Sequence, residues 1–62
     1  MPMKTRPNVV ERQGRRDRLT AAIVHRLGEG HGISQERIDH LADTDQTHIA
    51  TIARRLQQEV EG

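Results

Sequence analysis

Four arginines within seven residues, Arg12, Arg15, Arg16 and Arg18, are the densest concentration of chemistry on this chain of 62 residues. A guanidinium is a rigid fork of N–H donors that fits carboxylate or phosphate oxygens two at a time. Together with Lys4, Arg6 and Arg26 they give residues 1–31 a formal charge of +4, against −3 for residues 32–62, where Arg37, Arg54 and Arg55 meet six acids. A basic half is the electrostatic footprint of a nucleic-acid binder; the same asymmetry also suits a solvated face, or two subunits that complement each other. His25, His31, His40 and His48 offer imidazole nitrogens, but no two stand at the i, i+4 spacing that puts both on one helix face. With no cysteine beside them, neither a metal nor any other cofactor is expected.

Other site chemistries find less support. No nucleophile, base and orienting group cluster in the sequence, and so small a chain leaves little room for a concave pocket, so no enzyme is expected. Gly28, Gly30 and Gly32 have the look of a phosphate-cradling loop, yet lack a preceding strand and a Gly-Lys-Ser/Thr tail, so a helix C-cap and linker is the plainer reading. There is no Phe, Tyr or Trp, and therefore no stacking platform for single-stranded nucleic acid. Without cysteines, a membrane-length apolar run or a signal-peptide core, the chain is expected to be soluble and cytoplasmic.

The elements that must carry these residues follow from apolar periodicity. Met1–Pro7 has two prolines and no periodicity, and Glu11–Arg18 contains no apolar residue. Gly14 would cost a helix about 1 kcal/mol. Residues 1–14 are accordingly read as a basic, disordered arm, although Asn8 and Glu11 have the spacing of a capping box that would start a helix at Val9. The first secure helix is expected over about 15–27, with Leu19, Ala22, Ile23 and Leu27 facing inward. Ser34 is a good N-cap, with Ile33 and Ile38 placed as a hydrophobic staple. A second helix should then run over about 35–42, burying Ile38 and Leu41. Asp43, Thr44 and Asp45 break the pattern, and Thr44 or Asp45 should cap a third helix reaching about Val60. Ile49, Ile52, Ala53, Leu56 and Val60 form its stripe. His48 falls beside that helix's N-terminus, where a neutral imidazole is favoured and could bond a phosphate or water. The expected fold is thus all-α, one three-helix domain over residues 15–62. Its core of roughly ten to twelve aliphatic side chains is thin enough that a homodimer is expected to complete it.

Within Gln35–Ala53 the residues resemble the helix-turn-helix family of DNA-binding proteins. Gln35 opens the unit, Ile38 makes the first core contact, Leu41 and Ala42 close the first helix, and Ile49 and Ile52 anchor the second. The tail RRLQQEVEG is similar to the end of the recognition helix in winged-helix regulators, with no wing following. Asp39 departs from the family pattern, which has a small residue there, usually Ala; Asp43 departs where the turn usually has Gly. The resemblance implies a small transcription regulator, of repressor type, that binds double-stranded DNA as a homodimer and reads the major groove with the helix at about 46–60. Gln46, Thr47, Ala50, Thr51 and Arg54 would then meet the bases: Gln pairs with adenine, Thr and Ala methyls meet the thymine methyl, and Arg forks onto guanine. Arg12, Arg15, Arg16 and Arg18, with Arg37 and Arg55, would meet backbone phosphates, while Asp43 and Asp45 would repel them.

Two rivals stay open. One is a protein-interaction module, such as an antitoxin, an anti-sigma-like inhibitor or an adaptor, whose thin core a partner completes. The other keeps DNA binding but resembles the ribbon-helix-helix repressors, with Asn8–Arg12 as the ribbon and Gly32-Ile33-Ser34 opening the second helix.

Overall fold

A computed structural model describes residues 7–62, with side chains from Val10 onward. It is all-α: α1 spans Pro7–Leu27, α2 Gln35–Thr44 and α3 Ile49–Glu61. Among the described residues there is no strand, and no helix is long and apolar enough to cross a membrane.

The first helix starts eight residues ahead of the expected position near Arg15. Once Leu19 and Ile23 are packed, each further residue adds a backbone hydrogen bond without a new nucleation cost. Proline is tolerated in a first turn, and the Gln13 side-chain amide donates to Asp17 at 3.0 Å across one turn. Gly14 therefore weakens the helix without ending it. Residues 7–14 of the expected arm are helical, and residues 1–6 lie outside the described residues. Asn8 lies inside the helix, so it is not the N-cap of a capping box, and Asn8–Arg12 is not the ribbon of a ribbon-helix-helix fold. Gly28 ends α1 in the left-handed conformation (φ 83°), its N–H bonding to the Val24 carbonyl at 2.7 Å.

Ser34 caps α2 as its position promised, its hydroxyl oxygen accepting from the Arg37 N–H at 3.1 Å. The helix runs two residues past Ala42, to Thr44, whose hydroxyl donates back to the His40 carbonyl at 2.8 Å. Neither Thr44 nor Asp45 is thus free to cap α3. Asp45 instead closes α2, its N–H bonding to the Leu41 carbonyl at 2.8 Å, and His48 is the N-cap of α3. The turn from Asp45 to His48 contains no residue with positive φ and so requires no glycine, and Asp43, which stands where the resemblance would put a turn glycine, lies in the last turn of α2.

Leu19, Ile23, Ile38, Ala42, Ile52, Ala53 and Leu56 are buried, and Ala22, Leu27, Ile33, Leu41 and Ile49 pack around them. Val60, expected in the stripe, is 49% exposed. Gln57 already meets Arg26 at the end of α1, so Val60, nearly a turn further along α3, lies past the last turn of α1. Arg15 reaches Thr47 at the head of α3 and Arg26 meets Gln57 near its tail, so α3 runs beside α1 in the same direction. Gln35 meets Thr20 while Asp43 meets Arg16, so α2 runs backward across α1. Helices α2 and α3 diverge from the turn as a V, bridged at its mouth by Arg37 and Glu59, and both pack mainly on α1. Asp39 lies on the α1 side of α2, only partly buried, accepting at 2.9 Å from the Gln35 amide that also donates to Thr20.

Candidate nucleic-acid interface

The turn that joins α2 to α3 is built from charged and polar side chains. Helix ends and turns leave backbone groups without intrahelical partners, and here one arginine collects one carbonyl from the last turn of α2 and two from the residues that follow it. The Arg15 guanidinium donates to the Ala42 carbonyl at 3.0 Å, the Asp45 carbonyl at 2.7 Å and the Thr47 carbonyl at 3.3 Å. One Asp45 carboxylate oxygen accepts from both the Thr47 N–H, at 2.9 Å, and the Thr47 hydroxyl. Those two bonds, the hydroxyl first, hold the Asp45 carboxyl below the usual carboxylate range, and Arg55, 3.7 Å from its other oxygen, pulls the same way. At the head of α3, the His48 Nδ1 accepts from the Ala50 N–H at 3.2 Å. This cap requires an unprotonated Nδ1, so in the neutral ring the proton sits on Nε2.

Arg16 forms a fork with both oxygens of Asp43, Nε lying 3.0 Å from one of them. This bond is the main reason that the Asp43 carboxyl titrates low and the Arg16 guanidinium high. Arg37 and Glu59 form a second fork, with contacts of 2.6 and 3.0 Å and the same opposed shifts. Of the six arginines expected to meet phosphates, Arg15, Arg16, Arg37 and Arg55 are therefore engaged by protein oxygens. Among the described residues, no hydrogen bond or ion pair engages the side chains of Arg12 or Arg18. The sequence could not show this, because the acid or carbonyl that holds each arginine lies on another element, ten residues away for Arg55 and more than twenty for the other three.

The five residues expected to meet bases divide into two groups. Gln46 and Thr47 lie in the turn rather than on the helix; Gln46 is exposed, and Thr47 is half-buried by its bonds to Asp45. Ala50, Thr51 and Arg54 lie on α3. Ala50 and Arg54 are exposed on the side opposite the buried Ile52 and Leu56, and Thr51 is partly buried at the flank. The Arg54 guanidinium has no partner among the described residues. Arg12, one turn of α1 beyond Arg16, lines an open concavity of about 240 Å³ with Glu11, Arg15, Ala42, Asp43 and Gln46. A cation of α1 and an amide of the turn, both without partners among the described residues, thus share one depression with the Glu11 carboxylate. Among the described residues, no three His, Asp or Glu side chains gather to hold a metal ion.

No protein-family model, curated protein or solved structure matches this chain.

Proposed function

We propose that the chain is a small sequence-specific DNA-binding regulator, acting as a homodimer, in which the α2–α3 turn and the exposed side of α3 enter the major groove. The observation that carries this reading is the set of uncommitted side chains at one end of the molecule. Gln46, Ala50 and Arg54 are exposed, the Gln46 and Arg54 side chains have no hydrogen-bond or ion-pair partner among the described residues, Arg12 shares a depression with Gln46, and the buried stripe lies on the other side of α3. Their chemistry matches base edges and phosphates. Three acids that would repel a duplex are already engaged, Asp43 by Arg16, Asp45 by Thr47 and Arg55, and Glu59 by Arg37. Glu11, which lines the depression beside Arg12, has no partner among the described residues and opposes an approaching phosphate. Two copies related by a twofold axis would present two α3 helices to half-sites about 34 Å apart.

The test is a salt-titrated mobility shift on a randomised duplex library, followed by measurement on the selected sequence. Arg54→Ala and Gln46→Ala should each reduce discrimination by about 1–3 kcal/mol. Arg12→Ala should weaken binding to all sequences and, by removing one contact from each protomer of the dimer, flatten the salt slope by about 1.8. Failure to retard any duplex at low salt would refute the reading. A protein-interaction module is the second reading, favoured by Val10, which is 75% exposed on the part of α1 that reaches past the core. A stoichiometric protein partner, in a chain that shifts no duplex, would establish it.

A further inference from the structure

We infer that Arg15 is a positioning residue for base reading, setting the backbone that carries Gln46, rather than a phosphate contact. The inference rests on the DNA-binding reading above. One guanidinium binds the carbonyl of Ala42 in the last turn of α2 and the carbonyls of Asp45 and Thr47, the two residues on either side of Gln46. Asp45 closes the same segment from the other direction by accepting the Thr47 N–H. The Gln46 backbone is thereby held at both neighbours, while its side chain makes no hydrogen bond among the described residues and is exposed.

The arrangement needs arginine. Bonds to three carbonyls from two different nitrogens, Nε and Nη2, require donors at fixed separation in one plane, which a lysine ammonium lacks. Arg15 is partly buried between α1 and the turn, and it could turn to a phosphate only by releasing these carbonyls. Arg12, exposed and without a partner among the described residues, is the cation of this region placed to meet a phosphate. Two neighbouring arginines of α1 therefore have different roles: Arg12 outward to the polyanion, Arg15 inward to the element that reads the sequence.

The two roles leave different signatures. Binding should be measured on a duplex selected by the wild-type chain and on a scrambled duplex of the same composition, across a salt series, at a temperature where circular dichroism shows each variant folded. Arg15→Met should lower the preference for the selected duplex by about tenfold, near the loss of one base contact, and leave the salt slope unchanged. Arg15→Lys should recover part of that preference, and it keeps the test open if the Met variant does not fold. Arg12→Ala, which removes one contact from each protomer of the dimer, should flatten the slope by about 1.8 with preference retained. A flattened slope with full preference in Arg15→Met would make Arg15 a phosphate contact and overturn the inference. Unchanged slope and preference in the folded variant would leave it a purely structural residue, and would overturn it equally. If the wild-type chain retards no duplex, the DNA-binding reading itself fails. Amide exchange then judges the clamp alone: faster exchange at Thr47 with Ile23 unaltered supports it, and equal protection at Thr47 removes it.

Discussion

Replacing His48 by Asp should move stability and DNA binding in opposite directions. His48 caps α3 through a single contact of 3.2 Å between Nδ1 and the Ala50 N–H, and the first turn of α3 holds no acidic residue to oppose the helix dipole. Aspartate is among the preferred N-caps: its short side chain brings a charged oxygen to the same free N–H groups and interacts favourably with the partial positive charge there. A neutral cap exchanged for a good one, with a dipole term partly offset by repulsion from nearby Asp45, should give about 0.5–1 kcal/mol of stabilisation. For a domain of this size that is a rise in melting temperature of about 2–8 °C. The same carboxylate would stand at the mouth of the proposed interface and repel phosphate, so duplex affinity should fall several-fold. His48→Asn, which caps without the charge, should stabilise similarly and bind close to wild type. Thermal melts followed by circular dichroism and mobility shifts on the same preparations give both readouts. If His48→Asp lowered the melting temperature, His48 would not be the cap; if it strengthened binding, the head of α3 would not face the duplex.

Gly14→Ala should stabilise by about 0.5–1 kcal/mol, because an added Cβ meets only the Arg18 guanidinium, at an ordinary 3.8 Å; no gain in melting temperature or in ellipticity at the helix band would mean that α1 is not continuous through residue 14. Leu19 is fully buried at the meeting point of the helices, so Leu19→Ala should cost about 2–5 kcal/mol, enough in so thin a core to leave much of the chain unfolded in a urea titration. Asp43, Asp45 and Glu59 have carboxyls held below their unfolded values; such groups lend stability above the unfolded pKa and lose it as pH falls through the folded one. Stability should therefore be level near neutrality and decline below about pH 4, and Asp43→Asn should shallow that decline in acid melts.

The periodic parts of the fold were legible from spacing. Leu19, Ile23, Ile38, Ile52 and Leu56 fall on single faces at helical intervals, and all are buried. Ser34 announced α2 because an N-cap is a local event, decided by a side chain and the amide three residues on. The corner between α2 and α3 was less legible because its energetics are not local. Asp43, Thr44 and Asp45 look like helix breakers and caps in isolation. In the folded chain Arg16 holds Asp43 within α2, Arg15 satisfies carbonyls on both sides of the turn, and Asp45 becomes the end of one helix rather than the start of the next. The start of α1 is hidden in the sequence for a related reason: a solvated segment with a glycine has no reason of its own to be helical. It inherits helix from the packed turns that follow and from arginines anchored across the molecule.

The same pairings determine how much of the charge can act on a partner. Counted from sequence, the expected phosphate contacts number six per protomer, which for a dimer on B-DNA implies a salt slope of about −11. The structure leaves Arg12 and Arg18 without partners among the described residues, which for a dimer implies a slope of about −4, or about −7 if Lys4 and Arg6 also reach phosphate. Arg54, aimed at bases, adds discrimination more than slope. The internal forks are charge-assisted and bidentate, so opening one to contact phosphate exchanges two good hydrogen bonds for others of similar strength and leaves a carboxylate beside the duplex. Binding should therefore proceed with Arg16–Asp43 and Arg37–Glu59 intact. A mobility-shift series on the selected duplex between low and physiological salt measures the slope directly. A value near −11 would mean that the forks open on binding and that the free charge seen in the unbound chain is not the charge that meets DNA.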